Sequence, residues 1–157
     1  MADNAATLST SYVQVLSAQQ RAERGFTHVI RIPYTEVYSA TQTTQGDTKT
    51  LTIGTTPARY VVDRCLVDVA TAFAITGTLT VSVGTSSNTA LVLAAASCKT
   101  AGVLSADAGN AAANKCTGTS AATLQVRFTT QSSTGAISDI TAGDLYVWLR
   151  IIDMAQR

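Results

Sequence analysis

The sequence predicts an all-β domain, a sandwich or a barrel, and three observations carry that expectation. Thr and Ala each supply roughly one residue in six, and charged residues make up only 13% of the chain. Thr suits the pleated, half-buried surface of a strand because its branched β-carbon stiffens χ1, whereas long exposed helices carry more Glu and Lys. From Phe26 onward the apolar residues recur with a period of two, in short runs separated by Gly, Asn, Asp and Ser. Apolar residues reach 46% over 157 residues, enough for one domain with a core of its own.

Taken in order, the chain opens with a segment unlike the rest. Residues 1–25 begin as a polar, small-residue tail and then offer Ser9 or Thr10 as a cap for a short helix ending at Arg24 before Gly25. Tyr12, Val15, Leu16 and Gln19 share one face of that helix. The stripe is too thin to stabilise an isolated helix, so the segment is an arm: a short helix lying on something else, or a disordered tail. Residues 26–157 form the sandwich domain.

Phe26, His28, Ile30 and Ile32 alternate with Thr27, Val29 and Arg31 in a strand that Pro33 ends or confines to an edge. A turn at Gln45-Gly46-Asp47 leads to a short strand with Leu51 and Ile53, stopped at Gly54. The longest strand runs from Tyr60 to about Phe73, with Val61, Cys65, Val67, Val69 and Phe73 on one face and Val62, Arg64, Leu66 and Asp68 on the other. After Gly77 the Leu79–Val83 alternation closes at Gly84, and Ala90–Leu93 follows a turn. Ser97–Ala122 is nearly all small residues and reads as a long loop with a marginal strand around Gly102-Val103-Leu104. Leu124, Val126 and Phe128 define another strand, and Leu145–Ile152 the last. The total is about 7–8 short strands, the pattern of an antiparallel sandwich.

The last strand is the most informative. Leu145, Val147, Leu149 and Ile151 fill one face, yet Tyr146, Trp148 and Ile152 occupy the other, broken only by Arg150. A sheet face left wet does not present Tyr, Trp and Ile, so that face is expected to be covered, by a neighbouring copy in preference to the N-terminal segment. Tyr146, Trp148 and Ile152, with Tyr12, Val15 and Leu16 of the arm, are the candidate subunit interface.

Chemistry is sparse. Eleven Lys and Arg balance ten Asp and Glu to a net charge of +1 with no basic concentration, so the sequence points away from nucleic acid. The longest apolar run, Ala90–Ala96, is far too short for a membrane span, and the N-terminus carries no secretory pattern. The one histidine, His28, lies on a strand and reads as a half-buried edge residue, with pairing to a cysteine nucleophile as the rival. Asp63 and Asp68, an odd number of residues apart, are placed on opposite faces of one strand and cannot act as a carboxylate pair. Asp139 and Asp144 flank a turn without the spacing of a calcium loop. Cys65, Cys98 and Cys116 match no metal spacing; Cys98 and Cys116 bracket the small-residue loop and form the one candidate disulfide, against three inert thiols. No catalytic, cofactor or metal residues are expected.

Two stretches look familiar together: Tyr60–Phe73 followed by Gly77–Gly84, and Thr141–Asp153 with its Ala142-Gly143-Asp144 opening. A long strand ending in Thr-Ala-Phe, a second ending in Val-Gly, a small-residue loop and a closing Ala-Gly-Asp strand resemble jelly-roll virion proteins of tailed bacteriophages. Capsid decoration or cement proteins are among these, and tail-associated modules are the alternative. The resemblance implies a jelly roll made in the host cytoplasm and carried on the virion. It also implies a homotrimer and binding to the major capsid protein or another virion protein. A tail, baseplate or head-fibre module holding host carbohydrate is the competing expectation. No catalytic or ligand residue comes with it.

Overall fold

The computed structural model describes residues 3–8, 12–105, 116–131 and 134–155. Within these residues eleven strands and two short α-helices follow in the order β1 (Asp3–Thr7), β2 (Val13–Val15), α1 (Ala18–Arg24), β3 (His28–Pro33), α2 (Tyr34–Val37), β4 (Thr48–Thr55), β5 (Tyr60–Ala74), β6 (Leu79–Thr85), β7 (Leu93–Ser97), β8 (Gly102–Ser105), β9 (Cys116–Gly118), β10 (Thr123–Thr130) and β11 (Ala142–Asp153). A 3-10 turn over Ile137–Asp139 precedes β11. One sheet has the order β1-β4-β10-β6-β7 and the other β2-β3-β11-β5-β8, with β9 also on β5. All described pairings are antiparallel except that of β1 with β4. The protein is therefore an all-β sandwich, as its composition and period predict.

The core lies between the sheets. Leu51, Leu79, Val81, Val83, Val126 and Phe128 come from the first sheet and meet Ile30, Ile32, Val67, Val69, Leu145 and Val147 of the second. Phe73 and Phe128 pack ring against ring with centroids 5.5 Å apart. In β10 the burial alternates without a fault, half-buried and buried, which is the period that made this strand legible.

Four details depart from the sequence expectations. The arm is not a helix from residue 9 or 10: Ser9 and Thr10 lie outside the described residues, Val13–Val15 is a strand on β3, and the helix begins only at Ala18. Ser17 caps it with a reciprocal bond to Gln20, and Gly25 closes it in the left-handed conformation at φ 72°. Extended pairing of residues 13–15 satisfies backbone groups that a marginal helical turn would leave to water. The described part of the arm lies on its own domain, where β1 and β2 extend one sheet each.

Second, the parity along β5 breaks at Asp63. Arg64 pairs with Arg150, but Val62 pairs with Ile151, so Asp63 is the extra residue of a β-bulge. Val62 is fully buried while Val61 is half-buried, the reverse of the strict alternation. Asp63 also turns to the same side as Asp68, where its carboxylate lies 3.7 Å from Arg150. Third, the strand predicted at Ala90–Leu93 is β7, displaced to Leu93–Ser97; the marginal strand near Gly102 is real and is β8.

Fourth, the Cys98–Cys116 bridge does not fit the single chain. Cys116 pairs with Val62 near one end of β5, whereas the Cys98 carbonyl accepts the Phe73 N–H near the other. From Val62 to Phe73 the strand spans roughly 35 Å, and bridged Cα atoms lie within about 7 Å. Cys98 is a free, buried thiol donating to the Leu79 carbonyl.

Candidate interaction face and the His28 crevice

The outer face of the second sheet gathers most of the residues singled out from the sequence. Cross-strand register aligns Gln14, Val29, Trp148 and Leu66 in one row, and Arg31, Tyr146, Asp68 and Val103 in the next. Because side chains alternate along each strand, every member of both rows points away from the core. Leu16 folds back onto this face and is 2% exposed; with Phe26 and Val29 it forms a second apolar cluster, against which Leu66, Tyr146 and Trp148 pack. The Phe26 and Trp148 rings are tilted at 55° with centroids 5.9 Å apart. Arg24 lies over the Trp148 ring at 5.5 Å, and Arg64 over Phe26 at 4.7 Å. The chain's own N-terminal segment therefore covers the middle of the face that the sequence assigned first to a neighbouring copy.

The cover is incomplete. Toward β5 and β8 a groove of about 430 Å³ remains open between Arg24, Phe26, Leu66, Asp68, Val103 and Trp148. Toward β2 and β3 a second, of about 380 Å³, runs between Tyr12, Gln14, Val29, Arg31 and Tyr146. Val103, on the rim of the first, is 63% exposed. Arg31 is fixed there by Asp144, with Nε donating to Oδ1 and Oδ2 at 3.2 and 3.0 Å and Nη2 to Oδ2 at 2.9 Å. These bonds raise the Arg31 pKa above its ordinary value, so the fork is a permanent cation with a set orientation. Asp144 is thus the ion-pair partner of Arg31.

Of the six candidate interface residues, Tyr12, Leu16, Tyr146 and Trp148 meet on or beside this face. Ile152 shares the face by alternation but lies farther along β11, opposite Val61, whereas Val15 leaves it and projects toward the space between the sheets. Phe26, Leu66, Arg24 and Val103 were not foreseen as part of the face. Phe26 departs from the alternation of His28, Ile30 and Ile32 because β3 begins only at His28, leaving the preceding turn free to aim the ring outward.

His28 belongs to a different place, an apolar crevice at the end of the sandwich bordered by β2 and β4. Its Nδ1 is 2.7 Å from Thr27 Oγ1, which also accepts the Ile151 N–H at 2.9 Å. Burial lowers the His28 pKa below its ordinary 6.5, and the Arg21 charge lowers it further. Unfolding restores the ordinary value, so the unfolded chain holds the proton more tightly. Stability is expected to be complete above pH 6.5 and to fall as pH drops from 6.5 through the lower folded pKa. Urea unfolding between about pH 7.5 and about pH 5 checks this, with His28→Gln flattening the profile across that window.

The Cys65 and Cys98 thiols are pushed up to about 12 by burial, which keeps them protonated and poor nucleophiles. Leu149 stands between His28 and Cys65 in register, so the imidazole and the Cys65 thiol sit two strands apart and form no dyad. Among the described residues no three His, Cys, Asp or Glu side chains are grouped to hold a metal ion, and no helix is long and apolar enough to cross a membrane.

Comparison with family models, curated proteins and solved structures finds no match to this chain.

Proposed function

We propose that this chain is a non-enzymatic structural protein of a phage virion, of the capsid decoration type, which trimerises and bridges adjacent shell subunits. The observation that carries the reading is the outer face of the second sheet: two open grooves, one walled by Trp148 and Phe26 with exposed Val103 on its rim, the other walled by Tyr12 and Tyr146. Aromatic residues and Arg are the side chains that dominate protein interfaces, and here both are held rigid by stacking and by the Arg31–Asp144 fork. The strand order adds support. β3, β11, β5 and β8 face β4, β10, β6 and β7, with the chain passing back and forth between sheets as it does in a jelly roll. Modest affinity per copy suffices, because a trimer engaging several shell sites gains avidity.

Light scattering behind a sizing column tests the assembly. The subunit is 16.3 kDa, so a trimer is expected near 49 kDa, about three times that mass. Val103→Asp, at an exposed position, is expected to leave the melting temperature unchanged and to return the protein to monomer. A wild-type monomer overturns the trimer, and failure to co-sediment with empty capsids overturns the decoration role.

A second reading has an observation of its own. Tyr12 and Tyr146, with the Gln14 amide and the fixed Arg31 fork, provide the aromatic walls and polar groups that a sugar ring uses. That favours a tail, baseplate or head-fibre module holding host carbohydrate. Titration with oligosaccharides decides between the two, and Tyr146→Ala is expected to abolish any binding seen.

A further inference from the structure

The crevice beside His28 is open because of one residue. In the pairing of β10 with β4, Leu124 meets Gly54 while Gln125 meets Thr52, which makes Ile53 the extra residue of a bulge. Leu124 is buried and faces inward, so its partner Gly54 occupies an inward position as well. The bulge thus gives β4 two successive inward positions, one filled by Ile53 and one left empty.

Nothing in the chain requires glycine there. Its backbone is not in the positive-φ region, and a Cβ added at Gly54 would meet no atom within 4 Å. Glycine in a strand weakens it unless something approaches closely. What Gly54 leaves is a crevice of about 170 Å³ walled by Ile30, Leu149 and Ile151 from one sheet and by Ile53 and Leu124 from the other. Enclosed aliphatic cavities of about 150 Å³ bind benzene, and this crevice is of similar size but opens to solvent beside Gly54 and Val15. Val15, 65% exposed, stands at the rim with its apolar surface in water.

Two polar side chains, His28 and Thr55, break the aliphatic wall, and His28 is the one that carries a ring nitrogen. Nδ1 of His28 is held by Thr27, so Nε2 is the nitrogen left to a guest. A hydroxyl suits it in either tautomer, since it both donates and accepts.

We propose that this crevice is a binding site for a single-ring aromatic alcohol, with the ring among the aliphatic side chains and the hydroxyl on His28 Nε2. The site is distinct from the outer face of the second sheet, and its test does not depend on the assembly state.

The test is an NMR titration of the full chain with phenol and, separately, with toluene. Phenol is expected to shift the amides of Gly54, Ile53 and Ile151 and to bind roughly fivefold to tenfold more tightly than toluene, the worth of one net hydrogen bond. Gly54→Val fills the space and is expected to weaken phenol at least tenfold while the melting temperature holds or rises; Gly54→Ala gives a smaller loss in the same direction. His28→Phe keeps a ring in place without its nitrogen and is expected to abolish the preference for phenol over toluene. Toluene binding as tightly as phenol to the wild type overturns the role of His28. Absence of phenol shifts, or undiminished binding to a folded Gly54→Val chain, overturns the site.

Discussion

Replacing Trp148 with alanine is expected to lower stability by about 2–4 kcal/mol and to release the N-terminal segment from the outer face of the second sheet. Trp148 sits in the middle of β11, where Phe26, Arg24 and the cluster of Leu16 and Val29 converge on it. Its loss removes an aromatic pair worth about 1 kcal/mol beyond the apolar area it buries. The remaining side chains face outward, so they cannot collapse into the gap as core residues do. Trp148 is the single tryptophan, and denaturant titration must therefore be followed by circular dichroism rather than fluorescence. A fall in midpoint at unchanged slope is the expected result, accompanied by faster tryptic cleavage after Arg21 and Arg24 on the exposed helix α1. Trp148→Phe keeps the stacking partner and is expected to recover more than half of the loss. An alanine variant as stable as wild type, with α1 still protected, would mean that the helix is held by its cap and by β2 alone.

The residues that made this face legible also show where sequence reading stops. Tyr146 and Trp148 stood out because an alternating strand with apolar residues on both faces has no wet side, and that logic needs only the period of two. The sandwich itself followed from the same period in β5, β6, β10 and β11. The N-terminal segment misled because Tyr12, Val15 and Leu16 fall at helical spacing, while the partner that makes residues 13–15 extended, β3, is invisible until the chain is folded. Bulges hid the rest. Asp63 and Ile53 each insert one residue, and every inference drawn from odd or even separation fails beyond that point. That is why Asp63 and Asp68 were assigned to opposite faces, and why the space under Gly54 could not be anticipated. Cys98 and Cys116 bracket one small-residue loop in the sequence, but the long strand β5 holds their positions apart.

The largest single-residue effect is expected at Gly143, in the Ala-Gly-Asp sequence that opens β11. The sequence reads as a turn before the strand; the strand in fact begins at Ala142, and Gly143 lies inside it at the first register shift against β5, between Ala142 and Asp144. Its φ of 141° is a conformation that side chains rarely adopt, and a Cβ there would stand 2.5 Å from Cγ of Phe73. Phe73 cannot retreat, because its other side is filled by Phe128 at the centre of the sandwich. Gly143→Ala therefore combines backbone strain of about 1–3 kcal/mol with overpacking of about 1–3 kcal/mol, which is a large part of the stability of a domain this size. Denaturant titration is expected to show a loss of roughly 3–5 kcal/mol or a chain that no longer folds. A double-mutant cycle separates the two causes: with Phe73→Leu in the background, the collision is relieved while the strain persists. The double variant is expected to lose less than the two single variants together, by about the overpacking share. Strict additivity would place the whole cost in the backbone, and the close approach of Gly143 to the Phe73 ring would then be incidental to the choice of glycine.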